Sequence, residues 1–249
     1  MFIPCRSTFL SEYRSYWLGL FGLVEGTVKN VRVERSVIDA CASRGVRCGG
    51  IAGVMVNGSI TNCYTDIRAK ASTTNLGHLG GIVGKLETGR YTSQSVIGCA
   101  SSSQLTGEGK TWIGGIVGDT ASPMTENIMK ITDCYFTGSI SGTSQHTASG
   151  IANVSAYSTY SMGVYTYYSP AEIRNCYAAG SYQVESGKLY AIANTVGNYD
   201  QSQTIATPEN SFGNNYYLEN ADALDTTGAA SRTEAELKAA DMPATLGEA

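Results

Sequence analysis

Histidine is nearly absent. The 249-residue chain has two, His78 and His146. No His-Glu-x-x-His run occurs, which excludes the familiar helical zinc-peptidase centre. Both histidines are expected at surface or turn positions, His78 before a glycine pair and His146 in a Ser/Thr-rich loop. Charge is also scarce: 15% of residues are charged and the net charge is −4, the wrong sign for a general nucleic-acid binder. No apolar run reaches the ~18 residues that a membrane helix needs, so no membrane insertion is expected in this segment. The first residues lack the basic-then-apolar order of a signal peptide. The chain is then either intracellular or a piece of a longer secreted chain, and the repeat described below favours the piece, with other domains of that chain as neighbours. No Cys-x-x-Cys pair exists, so a zinc site has little support and neither metal nor cofactor is expected. The 42% hydrophobic content argues against disorder, and the length excludes a small disulfide scaffold.

What the sequence does have is glycine, 29 residues, and a repeat. A small-residue cluster around an aliphatic recurs as Phe21-Gly22-Leu23-Val24, Gly49-Gly50-Ile51-Ala52-Gly53, Gly80-Gly81-Ile82-Val83-Gly84, Gly114-Gly115-Ile116-Val117-Gly118, Ser149-Gly150-Ile151-Ala152-Asn153 and Tyr190-Ala191-Ile192-Ala193-Asn194. The central aliphatics, Leu23, Ile51, Ile82, Ile116, Ile151 and Ile192, are 28 to 41 residues apart. A second motif follows each cluster: Ile60-Thr61-Asn62-Cys63-Tyr64, Val96-Ile97-Gly98-Cys99-Ala100, Ile131-Thr132-Asp133-Cys134-Tyr135 and Ile173-Arg174-Asn175-Cys176-Tyr177. Val28-Lys29-Asn30-Val31-Arg32 and Phe212-Gly213-Asn214-Asn215-Tyr216 are degenerate first and last copies.

Each motif is too short for a helix and has no 3.6-residue period. β-branched and aromatic residues alternating with small or polar ones read as short strands, punctuated by Gly and Asn. One unit cannot bury its apolar face alone, but stacked copies can. Stacking predicts one column of Ile51, Ile82, Ile116, Ile151 and Ile192. It predicts a second of Cys63, Cys99, Cys134 and Cys176, beside a row of Asn30, Asn62, Asp133 and Asn175. Extra residues go to corners, and the longest steps mark excursions at 156–170 and 196–208.

These units resemble GLUG-motif repeats over residues 20–218. Such repeats occur in large bacterial surface proteins, including adhesin-like proteins and the non-catalytic region of some immunoglobulin A peptidases. The resemblance implies an all-β fold, a right-handed parallel β-helix or β-solenoid of five to six repeats, on an extracellular or cell-surface protein. It implies no catalytic residue.

The ends differ from the repeat. In residues 1–19, Phe9, Leu10, Tyr13, Tyr16, Trp17 and Leu18 could form an apolar helical face covering the first rung. The alternative is a remnant of a preceding domain. The repeat proper is expected over 20–220, and 221–249 as a linker with a short helix. Ser231 and Glu234 have capping-box spacing, 235–240 favour helix, and Pro243 stops it.

Gly80 to Lys85 looks like a phosphate loop but misses its spacing, and the pattern recurs with Val54 and Asp119 in the lysine place. The repeat cysteines are expected as buried thiols. Cys41 and Cys48 bracket a loop and are the pair to join if any disulfide forms. Polysaccharide lyases and hydrolases use related scaffolds but need clustered carboxylates. Asp66, Glu87, Asp119, Glu126, Asp133 and Glu172 fall at different motif positions, so a non-enzymatic module is expected, with a carbohydrate-active enzyme as the alternative. Tyr157, Tyr160, Tyr165, Tyr167 and Tyr168 crowd one excursion. Their flat faces and hydroxyls suit contact with a host glycan or protein, or else they pack over the solenoid side. The sequons at Asn57 and Asn153 are expected to serve turns.

Overall fold

A computed structural model describes residues 2–3, 16–43, 45–87, 94–121, 128–144, 147–155, 157–161, 164–168, 171–185, 188–194, 204–205, 211–219, 225–226 and 228–237. These residues are nearly all strand. They wind into a parallel β-solenoid of about 4 turns with one short C-terminal helix. Among the described residues one sheet has 15 strands, another 9 and a third 3.

The glycine clusters are corners, and their aliphatics form the expected column. Backbone hydrogen bonds climb it level by level: Phe21 N–H to Ile51 C=O (2.9 Å), Ile51 to Ile82 (3.0 Å), Ile82 to Ile116 (2.9 Å), Ile116 to Ile151 (2.9 Å) and Ile151 to Ile192 (2.9 Å). All five isoleucines are at most 1% exposed. Each contributes roughly 1.5–3 kcal/mol of hydrophobic stabilisation. The levels begun at Ile51, Ile82, Ile116 and Ile151 have a neighbour on each side.

The first corner sits three residues earlier than the motif suggests. Phe21 pairs with Ala52 and Leu23 with Val54, so Leu20, not Leu23, stands over Ile51. Gly19 is the glycine of this corner; a Cβ there would lie 2.5 Å from Gly49 O.

The Asn row has a backbone cause. Asn30, Asn62, Asp133, Asn175 and Asn214 take φ between 52° and 57°, and Gly98 takes 61°. This left-handed bend feeds one strand into the next face, and Asn, Asp and Gly tolerate it best. The following cysteines point inward. Cys63, Cys99, Cys134 and Cys176 are at most 1% exposed and form no disulfide. Each thiol donates to the carbonyl two residues earlier, at 3.4, 3.4, 3.1 and 3.2 Å. Burial raises the Cys134 thiol pKa well above the ordinary range. Asn215 ends this column. Its carbonyl accepts from Cys176 N–H (3.0 Å) and its amide donates to Ile173 C=O (2.9 Å).

Cys41 and Cys48 are both free: Cys41 is exposed, whereas Cys48 lies in the core. The strand Gly45–Gly49 turns Cys48 inward, away from any bond to Cys41.

The ends are more strand-like than expected. Tyr16–Leu18 is a strand paired with Val46, Arg47 and Cys48, not part of a helical cap. Phe9, Leu10 and Tyr13 lie outside the described residues. At the other end, Ala230–Arg232 adds a strand on Tyr216–Leu218, past the expected boundary at 220. The helix is Glu234–Leu237, and its cap is shifted by two residues: Thr233 N–H donates to Glu236 Oε2 (2.7 Å) while Glu236 N–H donates to Thr233 Oγ1 (3.3 Å).

The two long excursions meet. Tyr157–Ser161 and Val164–Tyr168 form an antiparallel hairpin, and Thr204–Ile205 of the second excursion pairs with Thr166 and Tyr167.

Candidate functional site

Glycine at the corner brings two strands unusually close. A Cβ on Gly84 would lie 2.4 Å from Cys48 N, and one on Gly118 would lie 2.7 Å from Leu79 N. Each strand after a glycine pair therefore packs on the strand that precedes the previous pair, a stagger of one level.

That stagger gathers polar chemistry beside the glycines. In register before the pairs stand Trp17, Arg47, His78 and Trp112. After the pairs stand Val54, Lys85 and Asp119. His78 Nδ1 is 3.4 Å from Asp119 Oδ2, and both side chains are 2% exposed. Ser155 Oγ donates to Asp119 Oδ1 at 2.6 Å. The Trp112 ring meets His78 edge-on at 5.9 Å. One level earlier, Glu87 Oε1 takes Arg47 Nη2 at 2.9 Å and Lys85 Nζ at 3.0 Å. Burial pushes the Asp119 carboxyl up to about 7, although Lys85 and the Ser155 hydrogen bond pull it down. His78 was expected at a surface or turn position; instead it is enclosed, because the one-level stagger lays the Asp119 strand over it. The two residues share no motif position, so only the packing brings them together. Both side chains of the His78–Asp119 pair are thus shut away from solvent inside the corner.

A second array runs from buried to exposed positions, Ala100 4%, Tyr216 9% and Tyr135 36% exposed. The position after each repeat cysteine, or after the Val31 and Asn215 that take its place at the first and last levels, forms a row: Arg32, Tyr64, Ala100, Tyr135, Tyr177 and Tyr216. The rings of Tyr135 and Tyr177 stack at 5.0 Å with 2° between planes. Arg32 lies 4.3 Å above the Tyr64 ring, and Arg232 lies 4.5 Å above Tyr216. Tyr64 hydroxyl and Ser102 Oγ are 2.6 Å apart. Burial, then Tyr135, pushes the Tyr177 hydroxyl up to about 12. Sequence reasoning passed over this row, although its signal was present in the last letter of the Cys-Tyr motif.

Of the tyrosines singled out from sequence, the backbone places Tyr157 opposite Tyr168, Ser158 opposite Tyr167 and Tyr160 opposite Tyr165. Their side chains, like His146, Glu126 and Cys5, lie outside the described residues.

Compared with known families, curated proteins and solved structures, the chain matches none.

Other chemistry is dispersed. Among the described residues, no three His, Cys, Asp or Glu side chains gather where one metal ion could be held. No described helix is long and apolar enough to cross a membrane. Asp133 is a turn residue with φ 57°, and its carboxylate accepts from Asn175 Nδ2 at 2.9 Å. The Asn153 sequon side chain is fully buried.

Proposed function

We propose that this chain is a non-enzymatic repeat module of a bacterial extracellular or cell-surface protein, a stiff GLUG-type segment with an adhesive role. One observation carries the reading: the unbroken hydrogen-bonded column from Phe21 to Ile192. Parallel ladders that repeat at every level resist bending, as a spacer or stalk must. The adhesive part rests on tyrosine. The hairpin Tyr157–Ser161 and Val164–Tyr168 carries five tyrosines, and Tyr135 on the outer row is 36% exposed. Flat aromatic faces with hydroxyls suit the apolar faces and hydroxyls of sugar rings, or a protein surface.

Glycan and host-protein arrays test the adhesive role, using the parent chain beside a variant with Tyr157, Tyr160, Tyr165, Tyr167 and Tyr168 changed to Ser. Binding by the parent and its loss in the variant are expected. No binding by the parent would remove adhesion. Polysaccharide turnover abolished by a single carboxylate substitution would replace the non-enzymatic reading with a carbohydrate-active enzyme.

A further inference from the structure

One level of the cysteine motif is cut away. In Val96-Ile97-Gly98-Cys99-Ala100 both residues flanking the cysteine are small. The copy before it has Asn62 and Tyr64 in those places, and the copy after it has Asp133 and Tyr135. The backbone does not break there: Ala100 pairs in register with Tyr64 on one side and Tyr135 on the other. Two large side chains are therefore missing from one level of a continuous surface.

The walls of this notch are rings. Arg32, one level before Tyr64, lies 4.3 Å over the Tyr64 ring. Tyr177, one level after Tyr135, stacks on the Tyr135 ring at 5.0 Å. The remaining faces of Tyr64 and Tyr135 are turned toward the level of Ala100, whose buried methyl is the floor. Both walls are held without a ligand: the Tyr64 hydroxyl meets Ser102 Oγ at 2.6 Å, and the Tyr135 and Tyr177 planes are 2° apart.

Width selects the occupant. Neighbouring levels are about 4.8 Å apart, so walls two levels apart stand about 9.6 Å apart. A flat aromatic guest touching both faces at about 3.5 Å needs only about 7 Å. A pyranose chair is thicker, because its carbons pucker and axial C–H bonds project from both faces; at contacts of about 4 Å it needs roughly 8.5 Å. The lean of Tyr64 toward Ser102, on the level of Ala100 itself, takes up the difference. The rims suit sugar hydroxyls. Asn62 and Asp66 flank one wall, and Asp133 and Thr137 the other; Asn62, Asp66 and Thr137 are exposed and Asp133 is half-buried.

We propose that this notch binds one ring of a β-linked glucan-type chain, a pyranose with equatorial hydroxyls and axial C–H bonds on both faces, held between Tyr64 and Tyr135 over Ala100. The glycan chain lies across the solenoid, along the level that Gly98 and Ala100 leave clear. Apolar C–H faces meet the aromatic faces, and the equatorial hydroxyls point outward to the rims. The inference rests on the glycan branch of the adhesive reading, names its sugar class, and places it at a site separate from the hairpin.

NMR titration of the full chain with cellotetraose, up to millimolar concentration, tests it. The control is mannotetraose of the same linkage, whose axial hydroxyl projects from one face of each ring. The parent should bind cellotetraose, and the mannose chain at least about tenfold more weakly. Tyr135→Ala removes a wall, and Ala100→Tyr supplies the missing ring. Each should weaken cellotetraose binding at least about tenfold while circular dichroism and Tm show a folded chain. The variant with the five hairpin tyrosines changed to Ser should bind cellotetraose as the parent does. No binding by the parent, equal binding of the mannose chain, or a Tyr135→Ala chain that binds like the parent would overturn the proposal. Binding lost in the hairpin variant and kept in Tyr135→Ala would overturn the notch and leave the adhesive reading standing.

Discussion

Asn153 donates its side-chain amide to the carbonyls of Ile113 and Gly118, 2.8 and 2.9 Å away, from a position that Gly53, Gly84 and Gly118 hold at the levels before it. Its own carbonyl accepts from Thr147 and Ser149, each at 2.8 Å. The corner thus has two solutions. Glycine lets two backbones touch, and asparagine fills a wider gap and satisfies the polar groups lining it. Asn194 repeats the second solution, accepting from Val154 N–H at 2.5 Å.

The first solution should tolerate no side chain. A Cβ on Gly118 would meet Gly84 O at 2.4 Å and Leu79 N at 2.7 Å, all backbone. Gly118→Ala should destabilise by about 3 kcal/mol. Gly22→Ala, with Trp17 O as nearest neighbour at 3.2 Å, should cost under about 1 kcal/mol. Urea denaturation of both variants makes the comparison, and equal losses would refute the close-approach account.

The bends behind the Asn row should rank substitutions by their tolerance of positive φ. Asn62 sits at φ 52°, and the equivalent residue one level on is Gly98. Asn62→Gly should be nearly neutral, whereas Asn62→Val should cost on the order of 1–2 kcal/mol in backbone strain. Thermal melts of the two variants decide it.

Thiol chemistry should divide by burial. Cys41 is exposed, while Cys48, Cys63, Cys99, Cys134 and Cys176 are enclosed. Burial alone pushes Cys48 up to about 12. In a quantitative thiol assay of the native chain, these five should resist labelling even at mildly alkaline pH and react once the chain is unfolded. Fast native labelling of Cys134 would contradict the buried column.

Stability should fall as pH rises through the acid range. The Asp119 carboxyl is held at about 7 in the folded chain by burial, above the ordinary carboxylate value of 3.8. Between these limits the unfolded chain has released a proton that the folded chain still holds, so unfolding gains on folding as pH increases. The Asp119 contribution is therefore greatest below about pH 4 and lost by about pH 7, a change of at most a few kcal/mol. Asp119→Asn keeps an acceptor for Ser155 and should flatten that slope, leaving the variant the more stable chain at pH 8. A steeper slope in the variant would show that another group drives it.

Reading the chain for repeats located most of the fold, because each motif residue answers to a local demand. Asn, Asp or Gly is needed where φ is positive, isoleucine where the column is dry, and cysteine where a small apolar side chain must fit under a bend. Leu20 was harder to place. Phe21-Gly22-Leu23-Val24 imitates a corner cluster in composition, and only the bonds from Leu20 to Gly50 and from Phe21 to Ile51 fix the register. The degenerate second motif at the same level was legible, since Val28 pairs with Ile60 and Asn30 takes the bend.

By itself, the sequence determined the columns: which side chain repeats above which, and therefore that the chain stacks in parallel levels. Only the tertiary structure decided how neighbouring columns lean on each other. That depends on the pitch, which belongs to the whole stack and to no single unit. The one-level stagger encloses His78 against Asp119 and sets Asn153 against Ile113. These are contacts between residues that occupy different places in the repeat, and a pattern of identities carries no record of them.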